Sequence, residues 1–336
     1  MIRIGIFLNT NYGADEDVAA RVREAVQQVA MARDYGFSSV CVGQHFLTEY
    51  QKIQPIPLLS RLVAESGDMR LLPGIMLLPL FNPAYVAEEL ATLDVLSGGR
   101  LLFGIGVGYR DAEFEAFGVR RADRGARLEE SLAIIKRLWT EDEVSFEGRF
   151  FRIPKVQVRT RPLQRPHPPI WVAAQADAGV RRAARVGDVL FLNPQARIAT
   201  LREQAQLFRR TREELGRPVP DEMACHKEVF IAPDMETALR EGRPFLEGKL
   251  KMYARWGQAR ELPPASADFA ADGFDDYRQD RVIVGDPEHC IREFRRYRDE
   301  VGINHFSCVL NWPGMQHWQV LRSIQLLGER VLPALR

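Results

Sequence analysis

The sequence predicts one α/β domain closed into a (β/α)8 TIM barrel with insertions. Three observations carry that prediction. Apolar, strand-like runs alternate with amphipathic helical stretches in eight successive units, the pattern of a parallel sheet covered by helices. The 336 residues exceed the roughly 250 of a bare barrel by a margin that insertions fill. No repeat, low-complexity tract or composition break divides residues 1–336 into two domains.

Residues 2–8 alternate charge with apolar side chains and read as the first strand; they lack the basic start, long apolar run and small-residue cleavage site of a signal peptide. A helix follows over 17–35, with Val18, Val22, Val26, Val29 and Ala30 at helical spacing and Gly36 ending it. The second unit is a strand at 39–43 and a short helix at 58–65. The third is a strand at 70–78 and a helix at 83–96, stopped by Ser97-Gly98-Gly99. A fourth strand at 101–107 leads through a long loop to a helix at 125–139, and 144–151 looks like a hairpin. After a proline-rich linker at 161–169 come a strand at 170–174 and a helix at 178–186, then a short apolar strand at 189–192 and a helix at 201–215. Residues 228–231 and 235–250 form the seventh unit. The eighth has a helix from Pro287, a strand at 305–310 and a closing helix at 318–331. Residues 251–281 break the pattern: Pro263, Pro264 and Gly273 oppose continuous helix, while Asp268, Asp272, Asp275, Asp276 and Asp280 keep the segment solvated. This stretch is expected to be a mobile lid.

Basic and acidic residues number 46 and 45, so no long-range field draws nucleic acid or an anionic membrane. No apolar run reaches the roughly 18 residues of a spanning helix. Cys41, Cys225, Cys290 and Cys308 show no disulfide or CxxC spacing, which fits a reducing cytoplasm, and the histidines show no metal-ligand spacing. No metal is expected.

A barrel of this kind places its reactive groups just after each strand. Those positions hold Asn9 and Thr10; Gln44 and His45; Pro79, Phe81 and Asn82; Gly106 to Arg110; Ala174, Gln175 and Ala176; Asn193; Asn311 and Trp312. Amides, glycines and few charges suit a flat, largely apolar ligand. The run Gly104-Ile105-Gly106-Val107-Gly108 alone is a weak dinucleotide signal, because it departs from GxGxxG.

Longer stretches are more specific. Leu-Pro-Gly-Ile-Met-Leu-Leu-Pro from Leu72, Ala-Glu-Glu-Leu-Ala-Thr-Leu-Asp-Val-Leu-Ser-Gly-Gly-Arg-Leu-Leu-Phe-Gly-Ile-Gly up to Gly106, and Glu-Phe-Glu-Ala-Phe-Gly from Glu113 resemble the bacterial luciferase-like monooxygenases. Gln44-His45-Phe46, Pro-Pro-Ile-Trp-Val at 168–172 and Val-Gly-Asp-Pro-Glu-His-Cys at 284–290 match in the same order, so the resemblance covers residues 2–334.

The resemblance implies a flavoprotein oxidoreductase, a cytoplasmic homodimer. It implies a monooxygenase that takes reduced FMN from a separate flavin reductase and uses O2 to oxygenate a small organic substrate through a flavin C4a-hydroperoxide. A second branch of the family uses a 5-deazaflavin, coenzyme F-420, for hydride transfer, and some members bind flavin without turnover. By position, His45 is the catalytic residue, and Gly74-Ile75 matches a non-prolyl cis peptide that bulges against the isoalloxazine. The remaining cofactor contacts fall on Asn9, Gly106, Gly108, Tyr109, Arg110, Ala174, Gln175, Ala176, Gly179 and Val180, with backbone N–H groups of the 179–180 helix start at the phosphate. Gln44 replaces the histidine that serves as acid and base in luciferase itself. Arg124 and Arg127 are further charges near the phosphate end, and Phe81, Trp171, Tyr253, Trp256 and Trp312 are candidates for a substrate pocket. His167, His226, His289, His305 and His317 read as structural.

Overall fold

In the computed structural model the chain closes into the expected barrel. The structure describes residues 1–263, 266 and 273–336. The strands are β1 (Arg3–Leu8), β2 (Asn11–Tyr12), β3 (Ser39–Val42), β4 (Gln51–Lys52), β5 (Arg70–Pro73), β6 (Met76–Leu77), β7 (Phe103–Gly106), β8 (Val144–Glu147), β9 (Arg152–Val156), β10 (Ile170–Ala174), β11 (Val189–Leu192), β12 (Ala224–Ile231), β13 (Val282–Gly285) and β14 (His305–Val309). The main helices are α1 (Val18–Asp34), α2 (Pro55–Leu62), α3 (Pro83–Leu96), α4 (Asp111–Ala116), α5 (Arg124–Thr140), α6 (Asp177–Val186), α7 (Ile198–Glu214), α8 (Met235–Arg255), α9 (Phe274–Arg281), α10 (Pro287–Val301) and α11 (His317–Leu326).

The main ladder runs β5-β3-β1-β14-β12-β11-β10-β7-β6. Its two ends, β5 and β6, are halves of the predicted third strand, interrupted at Gly74-Ile75, so the sheet meets itself. Leu71 N–H donates to Arg100 O at 2.9 Å and Leu102 N–H to Leu71 O at 2.8 Å across that seam. Inside the barrel Cys41, Leu72, Leu102, Trp171, Val189, Phe191 and Ala224 pack together; a larger apolar layer fills the space between strands and helices.

Caps set several boundaries. The Asp17 side chain accepts from Ala20 N–H to start α1, Asn82 does the same for α3 through Ala84 N–H, and Asp286 caps α10 through His289 N–H. Pro83 and Pro287 occupy first-turn positions, and Gly302 ends α10 at φ 92°.

Five features differ from the sequence expectation. The seventh strand starts at Ala224 rather than at 228, and β13 adds an extra strand beside its second half. The loop after the fourth strand holds the short helix α4, and β2 pairs with β4 in a small antiparallel ribbon over the barrel mouth. The described residues of 251–281 are more regular than expected: α8 continues to Arg255, Gln258–Glu261 is a 3-10 turn, and α9 covers Phe274–Arg281. Pro264, Asp268 and Asp272 lie outside the described residues. No described helix is long and apolar enough to cross a membrane, and among the described residues no group of three His, Cys, Asp or Glu side chains is placed to hold a metal.

Candidate active site

A cavity of about 450 Å³ opens at the carboxyl ends of the barrel strands, the position a barrel reserves for chemistry. Phe7, Ile75, Leu77, Val172 and Phe191 supply apolar walls. Of the residues singled out in the sequence, Asn9, His45, Gly74, Ile75, Gly106, Gly108, Tyr109, Ala174, Gln175, Ala176 and Gly179 all line it. Arg110 and Val180 do not: Arg110 is spent on bracing a loop, and Val180 is buried within α6.

The Gly74-Ile75 peptide is cis. Its surroundings require small residues. A Cβ on Gly74 would lie 2.4 Å from Cys41 Sγ, and one on Gly106 only 2.1 Å from Ile75 Cδ1. Val42 O accepts from Gly74 N–H at 2.9 Å, and the buried Gln44 side chain accepts from Leu77 N–H at 2.9 Å. Gln44, which stands where luciferase has its acid/base histidine, therefore ties the second strand to the bulge with its side-chain oxygen.

His45 is held by a carboxylate on α4. Its Nδ1 lies 3.0 Å from Glu113 Oε1, which also accepts from Phe46 N–H at 2.8 Å and from Arg110 Nη1 at 3.3 Å. Arg110 donates as well to Phe46 O at 2.6 Å and stacks over Trp256. Burial lowers the His45 pKa and outweighs the Glu113 carboxylate, which acts to raise it. Burial alone would raise Glu113, but the hydrogen bonds from His45 and Phe46 and the charge of Arg110 hold it below the ordinary carboxylate value. A neutral imidazole donating Nδ1–H to Glu113 leaves Nε2 as an acceptor, and Nε2 has no partner among the described residues.

At the opposite end α6 begins at Ala176 without a side-chain cap, so its first N–H groups are free to meet an anion. Arg124 and Arg182 line this end, held by Glu261 at 2.8 Å and Glu129 at 2.9 Å. Arg127 instead donates to Pro79 O and stacks on Phe151. Asn11 Oδ1, Tyr109 OH, Gln175 Oε1 and Gln258 Oε1 are buried cavity-lining atoms without a protein partner. Buried polar atoms are normally satisfied, so these mark positions where a polar ligand edge belongs.

Sequence reasoning missed the remaining polar wall, formed by Lys52, His226 and Lys249, with Glu228 behind Lys249. His226 lines the cavity between Phe7 and Phe191, contrary to its structural reading. Placing the seventh strand four residues late hid it: from Ala224 the period-two alternation puts Ala224, His226 and Glu228 on one face. Glu113 carried a signal, since it begins the Glu-Phe-Glu-Ala-Phe-Gly text. Of the aromatic candidates only Tyr253 lines the cavity. Trp256 packs on His45 at 5.1 Å, Trp171 is inside the barrel, Phe81 packs outside the lining, and Trp312 is turned away to donate to Glu228 at 2.9 Å.

The barrel, the Gly74-Ile75 bulge and the His45–Glu113 pair thus meet at one cavity. The luciferase-like monooxygenase family model matches residues 2–305, and the chain belongs to that family. It is 26% identical over 332 residues to an F420-dependent glucose-6-phosphate dehydrogenase of Amycolatopsis mediterranei, covering 94% of this chain and 95% of the relative. It is 25% identical over 327 residues to an FMNH(2)-dependent dimethylsulfone monooxygenase of Pseudomonas putida, covering 93% and 83%. The crystal structure of monooxygenase RslO1 from Streptomyces bottropensis superposes with a TM-score of 0.85 at 26% identity, covering 99% of both chains.

Proposed function

We propose that this protein is an FMN-dependent monooxygenase that uses reduced FMN and O2 to oxygenate a small organic substrate. Reduced FMN, when bound, supplies the electrons that activate O2. The observation that carries the reading is the His45–Glu113 pair in the same cavity as the Gly74-Ile75 bulge. The cavity fits the cofactor: the bulge and Gly106 offer a flat apolar support, the unpartnered amide and phenol groups suit the polar edge of a flavin, and the start of α6 suits its phosphate. His45 Nε2 then accepts or returns a proton at the reacting atoms, while Glu113 holds the ring's orientation.

FMN is preferred to a deazaflavin because the Gln44-His45-Phe46 and Gly108-Tyr109-Arg110 texts resemble the flavin-using branches of the family more closely. Hydride transfer with a 5-deazaflavin is the second reading, favoured by the free Nε2, a ready acceptor for the proton an alcohol loses as its hydride departs. The Gln44 hydrogen bond to the bulge argues for a supporting role there rather than for aldehyde-dependent light emission.

Residues 251–281 act as a lid in this reading: Tyr253, Gln258 and Glu261 line the cavity, and Glu261 is gripped by Arg121 and Arg124. Limited proteolysis at the exposed Arg260 should slow when ligand is bound; Arg281, fully buried, is not a cleavage site. A homodimer is expected to use α3, where Tyr85 and Leu96 are exposed three turns apart on one face, and a separate cytoplasmic reductase delivers the flavin. Anaerobic titration with FMN, reduced FMN and deazaflavin tests the proposal. Reduced FMN should bind tightest, with O2 consumed on mixing; nanomolar binding of deazaflavin alone would replace it by the second reading.

A further inference from the structure

Four cationic side chains line the cavity: Lys52, Arg124, Arg182 and Lys249. Three have a counter-charge in the protein, Arg124 in Glu261, Arg182 in Glu129 and Lys249 in Glu228. Lys52 has none. Among the described residues no carboxylate lies within ion-pair distance of its ammonium and no acceptor receives a hydrogen bond from it.

Its backbone is also fixed. Lys52 pairs with Asn11 across the β2–β4 ribbon, and the adjacent Gln51 side chain donates to Gly13 O at 2.6 Å and Glu16 O at 3.0 Å. The lysine is therefore presented to the cavity from an anchored ribbon. Placing an ammonium in such surroundings without a partner is costly, and burial accordingly pulls the Lys52 pKa down to about 7, with repulsion from Lys249 adding to it. A ligand carrying the opposite charge removes that cost.

We propose that Lys52 anchors a carboxylate on the substrate, so that the molecule oxidised here is a small organic acid. The inference rests on the flavin-dependent reading of the cavity. Lys52 is within electrostatic reach of Glu113 and of His45 itself, which puts the anchor in the neighbourhood of the proton-handling group. One lysine offers a compact single point charge, which matches a monoanion. Phe7, Phe191 and Tyr253 supply apolar and aromatic surface for the remainder of the molecule.

Benzoate and its neutral isostere benzamide are suitable probes. Isothermal titration of the FMN-loaded protein should show benzoate binding at least about tenfold tighter, the usual range for a charged hydrogen bond. Lys52→Met should abolish the preference and Lys52→Arg should retain most of it, with FMN affinity unchanged in both. Equal binding of the two probes by the wild type, which needs no variant, overturns the proposal. So does a preference that survives Lys52→Met, or a large loss of FMN affinity in that variant, which would assign the ammonium to the cofactor. The flavin-free protein separates the two readings: a Lys52-dependent benzoate preference without any FMN binding sinks the flavin reading alone, whereas FMN binding without that preference sinks this one alone.

Discussion

Replacing Glu113 by glutamine tests whether His45 needs a negative charge beside Nδ1 or only an acceptor. The side chain is buried, and its Oε1 receives His45, Phe46 N–H and Arg110 while Oε2 has no partner. Glutamine keeps the volume and loses the charge. Its amide oxygen takes the Oε1 place and still accepts from Phe46 N–H and His45 Nδ1–H, while the NH2 group takes the unpartnered Oε2 place, so the imidazole proton stays on Nδ1. Charge-assisted hydrogen bonds contribute about 1.5 to 3 kcal/mol and neutral ones about 0.5 to 1.5 kcal/mol, so the net loss of stability is about 1 to 2 kcal/mol. Turnover should fall by roughly 10- to 100-fold, because a neutral partner supports the imidazolium less when Nε2 takes a proton. Nitrogen-15 histidine NMR reads this without a substrate: at neutral pH Nε2 of His45 should be unprotonated in both proteins, and the imidazole should titrate lower in Glu113→Gln. The sign of the pH dependence follows from the lowered pKa. The neutral, active form persists below the ordinary imidazole value, and in the variant, without the carboxylate that raises it, the pKa drops further. A wild-type Nε2 already protonated at neutral pH, or an imidazole titration unmoved or raised by the substitution, would refute the reasoning.

His45→Ala should lower coupled turnover by roughly 10² to 10⁴ with the fold intact; near wild-type rates would remove His45 from the catalytic machinery. Gly106→Ala drives a Cβ to 2.1 Å from the terminal Cδ1 of Ile75, which must turn aside into the cavity, so it should weaken FMN binding about tenfold while costing about 1 kcal/mol or less in a denaturant melt; unchanged FMN affinity would mean that Ile75 is not the ring support. Glu222, on the opposite rim, pairs with Arg3, Arg70 and His305. Burial alone would raise its pKa, but the His305 hydrogen bond and Arg70 draw it down to about 2. Its stabilisation is therefore fully present above the ordinary glutamate value and is lost as pH falls toward 2, amounting to about 1 to 3 kcal/mol. Glu222→Gln should remove that acid-sensitive increment while leaving FMN affinity unchanged, and identical acid melts of the two proteins would count against the assignment.

The barrel was legible because its strands are apolar on both faces. Val189–Leu192 and Ile170–Ala174 stand out as short runs without charge, and caps such as Asp286-Pro287 mark helix starts from residue chemistry alone. The rim was legible as well, since a residue directly after such a run must lie near the mouth; this places His45, Tyr109 and Gln175 without knowledge of any contact. Arg110 follows the same rule and is misplaced by it, because a long side chain can turn back. Its guanidinium ends on Phe46 O, outside the lining.

What stayed hidden has a common physical cause. A strand is recognised by apolar alternation, yet a strand that feeds a polar wall must put polar groups at inward positions. Ala224-Cys225-His226-Lys227, ahead of the predicted strand at 228–231, goes unrecognised for that reason: His226 faces the cavity, Glu228 pairs with Lys249, and even the outer Lys227 is buried, donating to Pro194 O and lying 4.2 Å from the Tyr297 ring centre. Lys52 sits in a two-residue strand and Glu113 in a six-residue helix, both too short for periodicity to register. Each of these segments is held by contacts from distant parts of the chain, so their local pattern is free to serve the cavity instead of the fold. A polar break in an otherwise apolar strand of a closed barrel is thus itself a functional signal, and in this chain it points to the wall carrying His226 and Lys249, where the substrate rather than the cofactor is expected to be chosen.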